Sequence, residues 1–101
     1  MEINNEKSQL LKLCETIVKL KDAETCARFF EDLCTPSELS AMIGRWQVAL
    51  MLEQKIPYRK INELTGVSTA TITRVARFME SGNGGYKEAL QIVKESVSHR
   101  T

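Results

Sequence analysis

From Leu39 to Leu52, 10 of 14 residues are apolar, with Trp46 in the middle of the run. Just ahead of it, Thr35-Pro36-Ser37-Glu38 has the chemistry of a helix start. Thr35 suits the N-cap, Pro36 the first helical position, and Glu38 the place a capping box requires. The segment therefore reads as a helix running to about Glu53. A helix that buries one face needs roughly half as many apolar residues, and one apolar nearly all round must be covered nearly all round. A single chain of 101 residues has little left with which to wrap it. The expectation is an obligate homodimer with this helix near its centre. Arg45 is the odd charge on the segment, satisfied either by a ligand or by an acidic neighbour or carbonyl.

Other apolar stripes flank this helix. Leu10, Leu13, Cys14, Ile17 and Val18 recur at helical spacing between about Asn5 and Leu20. Asp22 can cap a second helix whose stripe is Ala23, Cys26, Phe29, Phe30 and Leu33. At the far end, Ser81–Gly85 is a Gly-rich turn, followed by a helix from about Tyr86 to Val97 that packs Tyr86, Ala89, Leu90 and Val93. The chain reads as six helices and no strand: all-α, one helical domain over residues 1–101.

Between these flanks lies Pro57–Arg77, PYRKINELTGVSTATITRVAR. Pro57 suits a first helical turn, Ile61 and Leu64 share an apolar face, and Gly66 supplies a left-handed stop. Val67 turns inward, and Ser68 can cap the next helix by accepting from the Thr71 N–H. That helix buries Ile72, Val75, Ala76 and Met79. Its other face shows Thr69, Thr71, Thr73, Arg74 and Arg77. Two short helices, a Gly turn and a capped second helix form a helix-turn-helix over about residues 57–80.

Charge singles out the same stretch. Met1–Gln54 holds 6 basic and 9 acidic residues, Phe78–Thr101 3 of each, and Lys55–Arg77 5 basic against 1 acidic. The overall charge of +1 thus hides a local basic block, placed where phosphates would be met. An α-helix fits the major groove, with its N-terminal side chains reaching base edges. Ser68, Thr69, Ala70, Thr71 and Thr73 lie at that end. Arg74 and Arg77 can reach guanine or phosphate, while Tyr58, Arg59, Lys60 and Lys55 suit the phosphate backbone. A dimer would set two such helices about 34–36 Å apart, on a near-palindromic operator in double-stranded DNA. The alternative is a helical adaptor whose corner binds a partner protein.

Several classes are set aside. There is no Ser/His/Asp set, metal-ligand cluster or phosphate loop, and His99 is alone near the end, so neither enzyme nor cofactor is expected. Cys14, Cys26 and Cys34 form no C-x-x-C pair and are expected as reduced, buried thiols of a cytoplasmic protein. The longest apolar run, Val48–Leu52, is too short to cross a bilayer, and the polar, mixed-charge MEINNEKSQ is expected to be neither signal nor transit peptide.

The pieces LCTPSELSAMIGRWQVALML (Leu33–Leu52), NEL (Asn62–Leu64) and ATITR (Ala70–Arg74) resemble the Trp repressor family, and its YerC/YecD-type branch most. The likeness covers about Leu33 to Val97. It implies an all-helical, intertwined homodimer that represses transcription by binding an operator. It also implies an effector pocket between the central and reading helices. Arg45 and Arg74 match its two arginines, and Thr35 matches a threonine at its rim. Val75 and Phe78 stand where the tryptophan-binding members have a glycine and a serine. The resemblance therefore implies a site either filled by Phe78 or fitted to a small molecule other than tryptophan.

Overall fold

A computed structural model describes residues 5–98. His99 and the residues after it lie outside the described residues. Six helices and no strand occur among those described: α1 (Glu6–Ile17), α2 (Ala23–Leu33), α3 (Pro36–Glu53), α4 (Tyr58–Thr65), α5 (Thr69–Ser81) and α6 (Gly85–Ser98). The chain forms two compact units, one ending at Leu39 and the other beginning at Ser40.

Local capping chemistry defines the first unit. Asn5 and Asp22 cap α1 and α2, their side chains accepting from Ser8 N (3.1 Å) and Thr25 N (2.8 Å). That bond to the Thr25 amide holds the Asp22 carboxyl below the usual carboxylate range. At the start of α3 the capping box is complete. Glu38 N donates to Thr35 Oγ1 at 3.2 Å, and Thr35 N donates to Glu38 Oε1 at 2.8 Å. Helix α1 stops at Ile17, short of the expected Leu20, where the Val18 N–H closes on the Cys14 carbonyl. Neither α1 nor α2 holds a buried residue. Leu10 is 57% exposed and Val18 78%. The cysteines depart from expectation: all three are free thiols, but Cys14 is exposed and Cys26 and Cys34 only half-buried.

The second unit holds the core. Val48 and Ala49 of α3, Ile61 of α4, Ile72 and Val75 of α5, and Leu90 of α6 are buried. Trp46, Met51, Leu52, Val67 and Met79 pack against that cluster. Each such aliphatic side chain contributes on the order of 1.5–3 kcal/mol when fully buried. Of the apolar run on α3, only Val48 and Ala49 are fully buried within one chain, and Ile43 is 51% exposed. Gly44 lets the α4–α5 turn come close, since a Cβ there would sit 3.2 Å from Val67 Cγ2. At the other end of α3, Glu53 pairs with Lys94 of α6 at 2.7 Å.

Two inward assignments in the second unit fail. Leu64 is 56% exposed, although it lies three residues from buried Ile61 on the same helix. Val93, three residues beyond buried Leu90, is likewise turned outward. Pro57 is the N-cap of α4 and not its first residue. Between α3 and α4, Lys55 adopts φ 65°, the only described non-glycine residue with a left-handed backbone.

Candidate nucleic-acid interface

Helices α4 and α5 meet through a turn locked at several points. Gly66 takes φ 75°, and its N–H donates to the Asn62 carbonyl at 2.8 Å, closing α4. Asn62 Nδ2 reaches across the turn to the Val67 carbonyl at 2.8 Å. Thr65 Oγ1 donates to the Ile61 carbonyl at 2.7 Å and accepts from Val67 N at 3.1 Å. These bonds satisfy backbone groups that a corner would otherwise leave bare. Asn62 and Thr65 are the residues that sequence reasoning passed over. Their signal was local: short polar side chains within five positions of a helix-ending glycine.

Ser68 caps α5, its Oγ accepting from Thr71 N at 3.1 Å and donating to Thr71 Oγ1 at 3.0 Å. Thr71 is consequently half-buried and tied into the cap, whereas Ser68, Thr69 and Ala70 are exposed. Thr73 is exposed too, but its hydroxyl donates to the Thr69 carbonyl at 2.9 Å, leaving it an acceptor toward solvent. The opposite side of α5 is anchored by Ile72, fully buried, and Val75, 1% exposed. The exposed residues are therefore held on a helix that cannot roll without uncovering its core.

The basic residues are displayed around this corner. Arg74 and Arg77 are exposed, and the guanidinium carbons lie 4.8 and 5.7 Å from the Phe78 ring centroid. Tyr58, Arg59 and Lys60 are exposed at the start of α4. Lys60 has Glu63 at 3.9 Å, with both side chains 58% exposed, an ion pair too solvated to neutralise it.

Beside α5 lies a recess of about 460 Å³, lined by Arg45, Arg74, Val75 and Phe78 together with Trp46 and Tyr86. It therefore brings together four of the five expected effector residues. Arg45 is half-buried there, and Phe78 remains 40% exposed. Thr35 belongs to the other unit, where it caps α3. Among the described residues no cluster could hold a metal ion. No helix among them is long and apolar enough to cross a membrane.

A family model described as "Trp repressor protein" matches residues 8–94. That match reaches further toward the N-terminus than the Leu33–Val97 likeness and takes in most of α1 and all of α2. The uncharacterised protein YerC of Bacillus subtilis (strain 168) is 48% identical over 88 residues, covering 87% of this chain and 85% of that protein. A TrpR-like protein from Eubacterium eligens superposes with a TM-score of 0.80 at 36% identity, over 92% of this chain and 94% of that one. A candidate Trp repressor from Staphylococcus aureus gives a TM-score of 0.80 at 39% identity, over 93% and 95%.

Proposed function

Because this chain belongs to the Trp repressor family, and its relatives include YerC, we propose that it is a dimeric DNA-binding repressor of transcription. One observation carries the reading: α5 buries Ile72 and Val75 on one side and presents Thr69, Ala70, Thr73, Arg74 and Arg77 on the other. That helix begins immediately after a rigid turn, so its N-terminal end is free to enter a major groove.

In this reading Thr69, Ala70 and Thr73 meet base edges, and the thymine methyl is a natural partner for Ala70 and the threonine methyls. Arg74 and Arg77 add guanine or phosphate contacts. Tyr58, Arg59 and Lys60 hold the backbone and fix the register. Ser68 and Thr71 keep the helix end in shape, with its N–H groups toward phosphate. Few of these contacts are bidentate base contacts, so specificity draws on DNA shape and on the spacing of two half-sites.

Apolar surface left bare supports the second copy. Leu10, Leu11, Leu33, Met42, Ile43 and Ile92 are each more than a third exposed. A homodimer covers it and duplicates the reading helix. The recess is either filled by Phe78, which leaves Arg74 to the DNA, or fitted to a small molecule other than tryptophan, with Arg45 to meet its anionic group.

Selection of bound duplexes from a random DNA pool tests the proposal. Enrichment of a near-palindrome with half-sites one helical turn apart is expected, with Arg74→Ala weakening binding but not folding. A protein that enriches nothing, or whose binding ignores salt as an apolar protein–protein groove would, overturns it.

A further inference from the structure

Phe78 is a large aromatic residue left 40% exposed near the end of α5, with two arginines on the same helix gathered at its ring. Resting on the DNA-binding reading, we propose that Phe78 is a positioning residue for DNA contact, its ring holding Arg74 and Arg77 ready for the duplex without a bound ligand.

Three observations carry this. The first is the geometry: both guanidinium carbons lie within about 6 Å of one ring centroid, the range in which a cation is drawn to a π face. The second is what these arginines lack. Among the described residues neither is in an ion pair, although the chain has 13 acidic residues. A carboxylate would occupy the forked N–H edge of a guanidinium, the edge that phosphate and guanine need. An aromatic ring engages the cation through its π cloud and leaves the edge donors available. It therefore orders the side chain without spending its hydrogen-bonding capacity.

The third observation fixes the ring itself. At the end of α5 the Gly82 N–H donates to the Phe78 carbonyl at 3.0 Å. A Cβ at Gly82 would stand 2.5 Å from that carbonyl oxygen and 3.2 Å from Phe78 Cδ1. Only glycine lets the chain leave the helix this close to the ring, so the aromatic platform is backed by main chain.

Ordering long side chains before binding removes part of the entropy that association must otherwise overcome. Phe78→Leu keeps an apolar residue at a partly exposed position and deletes only the π face. Affinity for a duplex from the random-pool selection should fall roughly three- to tenfold, the size of one or two exposed cation–π contacts. Phe78→Tyr should stay within about twofold of wild type, since it keeps the ring. In an Arg74→Ala/Arg77→Ala background, Phe78→Leu should change nothing. Side-chain protons of both arginines should also show upfield ring-current shifts in the wild-type NMR spectrum, a readout that needs no variant to fold.

Wild type that binds DNA while Phe78→Leu binds equally well overturns the inference alone. So does an equal loss in the arginine-less background, a Tyr variant as weak as the Leu variant, or absence of the ring-current shifts. A wild-type protein that binds no duplex overturns the DNA-binding reading and takes this inference with it.

Discussion

Gly66 and Gly85 stand in equally open space, since nothing lies within 4 Å of a Cβ built on either. Their backbones differ: Gly66 has φ 75°, while Gly85 opens α6 without a left-handed φ. Alanine at Gly66 would pay about 1–2 kcal/mol for the left-handed conformation. It would recover about 0.4–1 kcal/mol by restricting the unfolded chain. The net is a destabilisation centred on about 0.8 kcal/mol, or a few degrees in Tm for a domain this size. At Gly85 only the favourable contribution operates, so alanine should stabilise by about 0.5–1 kcal/mol. Gly66→Asn should recover most of the loss, because asparagine tolerates this conformation, and Gly66→Val should be worse than alanine. Urea unfolding at one fixed protein concentration measures all four, concentration being held because association contributes to stability. If Gly66→Ala proved as stable as wild type, the turn would not depend on its left-handed residue and the reasoning would fail.

Lys55 has the same kind of backbone, φ 65°, without glycine's freedom. Lys55→Gly should therefore raise stability by about 0.5–1 kcal/mol in the same assay, and a loss would show that the Lys side chain matters more than the strain. Glu53 is held below the usual glutamate range by its hydrogen bond to Lys94, then by the Lys94 and Lys55 charges. A depressed carboxyl stabilises the folded state above its unfolded pKa, and that contribution disappears as pH falls through the folded value. In Lys94→Met the Glu53 carboxyl, followed by NMR, should titrate at higher pH, and the acid-side loss of stability should become shallower. An unchanged titration would remove Lys94 as the cause. Thr35→Ala should cost about 0.5–2 kcal/mol by breaking the capping box, read by thermal melting, and a neutral result would show that Pro36 alone starts α3.

What the sequence made legible was local. Asp22, Thr35 and Ser68 act as caps, and Gly66 as a stop, because each interaction closes within a few residues of the residue that makes it. Periodicity located the buried line Ile61, Ile72, Val75 and Leu90 for the same reason: a helix converts spacing directly into facing. Where the reading went astray, the outcome depended on what the rest of the molecule supplies. Leu64 and Val93 share a stripe with buried residues yet are left exposed, since spacing gives the face but not how far the neighbouring elements cover it. Cys14 sits on an amphipathic helix whose apolar face one chain leaves uncovered. Lys55 carries no Gly or Asn signal for its backbone, so no sequence rule could have found it. The stacking at Phe78 was partly available, since Arg74 and Phe78 are four residues apart on one helix face. The arginines drew attention as polar contacts, and the ring only as a pocket filler.

In the proposed complex two copies of this chain set two basic reading helices on one duplex. Sedimentation of the protein with a selected duplex, repeated across a range of salt, tests it most directly. Two chains per duplex are expected, with the logarithm of the association constant falling by about 0.9 per phosphate neutralised for each unit of log salt. A complex of one chain per duplex, or an affinity that does not respond to salt, would contradict it.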